Sequence, residues 1–209
     1  MYLPRHFAED DVEIAVAMAR SVGFGHLVVA GTDGLASTPM PFLIADDATL
    51  VRGHLARPNG IWRQAPCDAL FVVPVADAYV SPNWYPSKAE HARVVPTWNY
   101  EVVHLHGRLV AHDDAAWTNQ LVRDLTELHE ATLPAPWAVD DAPADYLDQL
   151  MRGIVGVALE VTRVDAKRKL SQNKPTADIA GAAAALAGSP RTGASVVGGA
   201  MRRIADAAE

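Results

Sequence analysis

Residues Trp98 to Val110 alternate two unlike sets of side chains. Tyr100, Val102, His104, His106 and Arg108 make one set, and Glu101, Val103, Leu105, Gly107 and Leu109 the other. A period of two sustained this long is the pattern of a β-strand with two different faces, and a helix cannot satisfy it. Such a strand needs partners for its backbone N–H and C=O groups, so the rest of the chain must supply them. Gly25 to Ala30 and Leu35 to Ile44 flank the glycine-containing turn Gly31-Thr32-Asp33-Gly34, a hairpin signal. A second turn at Asp46-Asp47-Ala48-Thr49 leads into Leu50 to His54, extending the hairpin to an antiparallel meander. Asp68 to Tyr79 holds the β-forming run Leu70-Phe71-Val72-Val73, with Pro74 marking an edge or a bulge. Ile154 to Val164 is a long apolar strand.

Helices are inserted between the strands. Asp10 to Val22 places Val12, Ile14, Ala15, Met18 and Ala19 on one face behind acidic residues. Pro58 suits the first turn of a short helix after His54. Trp117, Leu121, Leu125 and Leu128 predict a helix over Ala115 to Glu130 that ends before Pro134, and Asp145 to Met151 a shorter one. Beyond residue 175 the chain is rich in Ala and Gly, with a helix capped by Asp178 and stopped near Gly188, and another from about Ser195 to Ala207. Alanine offers little apolar area, so this tail is expected to pack on a partner or to move. The organisation expected is one domain over 1–175 and a C-terminal helical extension over 176–209.

The charge is unevenly spread. Of the net −7, residues 1–159 contribute 10 Lys and Arg against 20 Asp and Glu, and residues 160–209 contribute 8 against 5. An acidic body argues against nonspecific coating of nucleic acid, whose affinity comes mainly from neutralised phosphates. The basic minority gathers at Arg163, Lys167, Arg168, Lys169 and Lys174, a cluster suited to a small anion. One cysteine, Cys67, excludes an internal disulfide framework and reads as a small core residue. No basic leader followed by an apolar run and no stretch of about 18 apolar residues is present, so a cytoplasmic protein without membrane insertion is expected.

The signatures of dinucleotide, phosphate-loop, nucleophile-elbow and zinc-protease enzymes are missing. His104-x-His106 puts two imidazoles on one strand face, a geometry metals use, but with no companion ligand nearby a hydrogen-bonded pair is the better reading and no metal site is assigned. His54, Arg57 and Asn59, at an expected strand-to-helix junction, form a candidate phosphate cradle or a surface cap. Trp84 and Trp98 decide more, because they sit in polar runs: Ser81-Pro82-Asn83-Trp84-Tyr85-Pro86-Ser87-Lys88 and Pro96-Thr97-Trp98-Asn99-Tyr100. Rings to stack on, beside amides and hydroxyls, suit a flat ligand with a polar edge; the competing reading is prolyl loops pinned by buried aromatics. Arg168-Lys169-Leu170-Ser171-Gln172-Asn173-Lys174 adds cations and amides. Together these suggest a nucleotide-like cofactor.

Three blocks carry a more specific likeness: Tyr79 to Lys88, Val95 to Tyr100 with Val103-His104 and Gly107, and Lys169 to Lys174. They resemble the signature blocks of the PaiB-type family, the FMN-binding negative transcriptional regulators, as do Met1 to Phe7 and Gly53 to Asn59. The resemblance runs in order from residue 1 to about 186. It implies an FMN-binding split β-barrel, six-stranded and Greek-key, with peripheral helices and a homodimer that holds flavin near its interface. It further implies His54, Arg57 and Asn59 near the FMN phosphate. Ser81, Trp84, Tyr85, Lys88, Thr97, Trp98 and Asn99 would lie on the isoalloxazine side, with Lys169, Gln172 and Asn173 completing the pocket, from the same or the other subunit. Asn83 stands where the family often has Ser, and Pro58 and Gly60 depart from its usual helix start. Two functions follow, a PaiB-type repressor or a flavin-dependent oxidoreductase or haem binder on the same barrel. No residue is singled out as catalytic, and direct DNA contact has no helix-turn-helix behind it.

Overall fold

The computed structural model describes residues 1–31 and 34–207. Thr32 and Asp33, the tip of the expected first hairpin, lie outside them. In chain order the elements are β1 (Ala8–Glu9), α1 (Val12–Val22), β2 (Phe24–Gly31), β3 (Gly34–Pro41), β4 (Leu43–Ile44), β5 (Leu50–Ala56), β6 (Cys67–Val80), α2 (Ser87–His91), β7 (Thr97–His112), α3 (Ala115–Glu130), α4 (Ala144–Met151), β8 (Ile154–Lys169), α5 (Thr176–Ala187) and α6 (Ala194–Asp206). The six strands read from the sequence are all present, the second, Leu35 to Ile44, being divided at Phe42 into β3 and β4; β1 adds two residues. Their hydrogen-bonded order is β3-β2-β6-β7-β8-β5-β4, with β1 added to β8. Among the described residues no helix is long and apolar enough to cross a membrane.

The chain forms two compact units. A strand unit comprises Ala19–Val73 and His104–Val164; a helical unit comprises Met1–Met18, Pro74–Val103 and Asp165–Glu209. In the strand unit β2 pairs antiparallel with β3 from Phe24↔Pro41 to Gly31↔Gly34 and with β6 from His26↔Val72 to Val29↔Ala69. β5 pairs antiparallel with β8 from Leu50↔Glu160 to Ala56↔Ile154. Gly53 of β5 lies so close to β3 that a Cβ there would meet Met40 and the Pro41 carbonyl, which brings the two ends of the strand order together. The inward faces carry Leu27, Val29, Val51, Leu55, Phe71, Val73, Leu105 and Leu109, all buried, with Phe42 edge-on to Phe71 at 5.0 Å.

β7 buries Asn99, Glu101, Val103, Leu105, Gly107 and Leu109 in strict alternation, the face separation its sequence predicts. β6 runs unbroken through Pro74, but its burial changes phase between Val73 and Ala78, as an inserted bulge does. α3 begins at Asp114, whose carboxylate accepts the Trp117 N–H at 2.7 Å, and buries Leu121 and Leu125. An Arg52–Asp124 ion pair at 2.9 Å joins it to β5.

The Ala-rich tail behaves differently from expectation. In the helical unit α5 and α6 pack on each other and bury Ile179, Ala182, Ala183, Leu186, Val197 and Met201 in one cluster with Val80, Tyr85 and Leu170. Small residues let the two helix backbones approach, so the few large side chains fill a narrow seam without needing a wide apolar stripe. Asp178 is also placed differently. Pro175 precedes the helix, and Asp178 sits inside its first turn, 1 % exposed, accepting hydrogen bonds from the Ser87 backbone N–H at 3.0 Å and its hydroxyl at 2.6 Å.

Gly107 of β7 tests the strand packing. A Cβ at this position would lie 2.0 Å from the Glu160 carbonyl oxygen of β8, where backbone has to give. Gly107→Ala is expected to lower stability by about 1–3 kcal/mol in urea unfolding, and an unchanged midpoint would contradict this packing.

Candidate functional site

The residues that sequence reasoning gathered into one pocket have different fates. His54 is not at a strand end. β5 continues through it to Ala56, and the expected helix is a single 3-10 turn at Gly60–Gln64. Arg57 is engaged by a bidentate pairing with Asp113 at 2.6 and 3.0 Å and by the carbonyls of Arg152 and Ile154. Asn59 caps the 3-10 turn, accepting the Ile61 N–H at 3.1 Å, and donates to the Thr38 hydroxyl at 3.0 Å. Both side chains therefore close their own part of the strand unit.

His54 faces a cavity of about 310 Å³ that Leu125, His129, Glu130 and Trp137 also line. Its Nδ1 is buried without a hydrogen-bond partner. Burial holds its pKa below the usual histidine value. A larger cleft of about 810 Å³ opens beside the same helix, between Arg20, Phe42, Arg52 and Glu127 among others. His106 lies 2.8 Å from an Arg163 nitrogen through Nε2, and its ring centroid is 6.3 Å from that of His104.

In the helical unit the prolyl loop after β6 is pinned from inside. Tyr85 is 2 % exposed in the α5–α6 cluster, Trp84 packs against that cluster, and Ser87 is clamped by Asp178. Ser81 accepts the Asn83 N–H and Lys88 donates to the Asn83 side chain, so these groups shape the loop. The Tyr85 hydroxyl is buried without a partner, and burial raises its pKa; Lys174 sits over its ring at 5.1 Å. Tyr85 is thus buried and Trp84 partly buried against the same cluster. Gln172 is spent locally, accepting from the Leu170 N–H and donating to the Arg168 carbonyl, while Asn173 is exposed.

Trp98 is the exception among these aromatics. Strand alternation turns Asn99 inward, where it meets Ser171 at 2.9 Å and Met201, and leaves Trp98 half exposed at 50 %. Tyr79 meets the Trp98 ring edge-on at 6.3 Å. Lys169 donates to the Thr97 hydroxyl at 2.5 Å and to the Trp98 carbonyl, and lies over the Tyr100 ring at 5.9 Å. Lys167, two residues back on the same strand face, lies over both Tyr100 and Tyr2 at 5.4 and 5.5 Å and donates to the Tyr2 carbonyl. Burial first, and the Lys167 charge second, push the Lys169 pKa down. Arg168 between them faces the other way and is satisfied by Glu101 at 2.7 Å and Glu9 at 3.2 Å. Burial alone would lower the Arg168 pKa, but the two carboxylates more than reverse this. The result is a strip of two cations held against neutral oxygens and rings, next to an accessible indole.

An aromatic and cationic strip on a strand face is what a flat, anionic ligand needs. Residues 1–163 match the model of the family described as "Putative FMN-binding domain". The chain belongs to that family. It is 30% identical over 184 residues to the Protease synthase and sporulation protein PAI 2 of Bacillus subtilis, covering 85% of each chain, which bears out the resemblance to the PaiB type. Among solved structures it is similar to the flavocytochrome Anf3 from Azotobacter vinelandii, with a TM-score of 0.58 and 16% identity over 79% of this chain and 72% of that one. The FAD and haem binding protein from Mycobacterium smegmatis matches with a TM-score of 0.55 and 15% identity over 78% and 73%. These likenesses show the fold, a mostly antiparallel flavin-binding split barrel with peripheral helices.

Sequence reasoning named Lys169, Thr97 and Trp98 but missed Tyr2, Tyr79, Tyr100 and Lys167 as parts of one strip. The signal was present in the period of two, since Trp98 and Tyr100 share one face of β7 and Lys167 and Lys169 share one face of β8. His54 offers a pH test. Its folded pKa lies below the unfolded value near 6.5, so the unfolded chain binds the proton first as pH falls. Its neutral form supports the fold fully above about pH 6.5, and that support is lost as pH falls toward the folded pKa. Wild-type stability in urea should therefore drop more steeply than that of His54→Leu below pH 6.5; parallel curves would contradict the burial of this imidazole.

Proposed function

We propose that this chain is an FMN-binding homodimer of the PaiB type, that the Trp98–Lys169 strip holds the flavin near the dimer interface, and that the loaded protein acts as a cytoplasmic transcriptional regulator. The observation that carries the reading is Lys169: a cation placed on a hydroxyl and a carbonyl beside an exposed indole, with a second cation two residues away. Burial and the neighbouring charge lower its pKa, and an anion at this position offsets both. Membership of a family named for FMN supports the choice of FMN over the FAD named for one structural neighbour.

The residues divide the work. Trp98 supplies a face for the tricyclic ring, with Tyr79 bracing its edge. Lys169 and Lys167 supply positive charge for an anionic phosphate or for the electron-rich pyrimidine edge of the ring. Thr97 holds Lys169 in place, and Asn99, bonded to Ser171 and Met201, anchors the strand beneath. FMN, when bound, supplies one- and two-electron redox chemistry. No side chain of the strip is assigned as an acid or base, so the regulatory reading is placed before an oxidoreductase one. An output through binding fits the strip's fixed cations, and the similarity to PAI 2 supports it.

Titration with FMN, followed by quenching of flavin fluorescence, tests the site. The wild type is expected to bind one FMN per chain with strong quenching, Lys169→Gln to bind roughly ten- to hundredfold more weakly, and Trp98→Leu to lose much of the quenching. Equal affinity in Lys169→Gln would remove the strip from the site. Sedimentation of the same samples should give a dimer. A gel shift with regulatory DNA over a salt series should show a complex that weakens as salt rises, and no shift at low salt would sink direct regulation of transcription.

A further inference from the structure

Lys167 and Lys169 share one face of β8 in the helical unit, close enough to feel each other's charge. The Lys169 ammonium donates to the Thr97 hydroxyl and the Trp98 carbonyl, and the Lys167 ammonium to the Tyr2 carbonyl at 3.0 Å, with the Tyr100 ring near both. These partners are all neutral. The carboxylates around them are committed: Glu101 and Glu9 to Arg168, and Asp165, on the lysines' own face, to the Met1 amine at 2.9 Å. Lys167 is only 7 % exposed, so water screens its charge poorly. Hydrogen bonds to neutral oxygens hold an ammonium in place without cancelling its field.

If flavin stacks on Trp98, as proposed above, these charges meet a particular part of it. Lys169 rests on the carbonyl of Trp98 itself, so a ring lying on that indole has an edge beside the ammonium, while the phosphate sits at the far end of the ribityl chain. Reduction changes the charge of the ring. A hydride donor such as a reduced nicotinamide gives it two electrons and one proton, is itself oxidised, and leaves one negative charge on the pyrimidine edge; a second proton, from water, cancels that charge. Fixed cations favour the anionic product, whereas the oxidised ring offers them only carbonyl dipoles. A phosphate, by contrast, carries the same charge in both states. We propose that Lys169, with Lys167 behind it, makes this site a reader of flavin oxidation state that holds reduced FMN, as the anion, at least tenfold more tightly than oxidised FMN. Loading of the chain then follows the balance of hydride donor to oxidant.

Potentiometric titration of the FMN-saturated full chain with dithionite and a reference dye tests this. Tenfold tighter binding of the reduced form places the two-electron midpoint of bound FMN about 30 mV above that of free FMN. At mildly acid pH the bound ring should take up one proton per two electrons and show the absorbance of the anion, where free FMN takes up two. Lys169→Gln, loaded at saturating FMN, should return the midpoint toward that of free FMN and restore the second proton, and Lys169→Arg should keep the wild-type behaviour. A wild-type midpoint at or below that of free FMN overturns the proposal. Weakened binding of oxidised FMN by Lys169→Gln with an unmoved midpoint places the lysines at the phosphate and overturns this proposal alone. Unchanged binding of oxidised FMN by Lys169→Gln removes the strip from the flavin site, and the proposal falls with it.

Discussion

Arg168 ties together the strands that carry the site. Its guanidinium lies in the helical unit between Glu101 of β7 and Glu9 of β1, and β1 pairs with β8 through Ala8↔Lys167 and Glu9↔Ala166. One residue thus ties three strands. A buried cation needs such partners, because the desolvation cost is otherwise unrecovered. With Arg168 committed to that side, the period of the strand sends Lys167 and Lys169 to the opposite face, where rings, a hydroxyl and carbonyls receive them. Of these three cations at the end of β8, one is neutralised by carboxylates and two rest on neutral oxygens and rings.

The same alternation operates on β7. Asn99 and Glu101 go inward, one to Ser171 and Met201 and the other to Arg168, while Trp98 and Tyr100 face the lysines' side. Neighbouring residues in sequence acquire opposite duties. The motif Thr97-Trp98-Asn99 accordingly contains one side chain that steadies a lysine, one that offers a surface, and one that belongs to the core.

Much of this was legible in the amino-acid sequence. The strands were readable because alternation and turn residues are local signals, and α3 because Trp117, Leu121 and Leu125 recur at helical spacing. What was not legible depends on distant partners. Nothing near Arg57 announces Asp113, fifty-six residues away, and Asp178 reads as a helix cap until Ser87, ninety-one residues earlier, is brought to it. The Ala-rich helices look unable to bury area until each is seen to cover the other. Trp84 and Trp98 sit in similar polar runs, and only the packing of α5 and α6 takes one inward and leaves the other out. Composition cannot make that distinction, since both indoles have the same chemistry.

The account rests on where flavin lies, and a crystal structure of the chain grown with FMN measures that directly. The prediction is an isoalloxazine against Trp98 with a flavin oxygen within hydrogen-bond distance of Lys169. Ordered flavin held by His54, Arg57 and Asn59, with Lys169 still resting on Thr97, would contradict it.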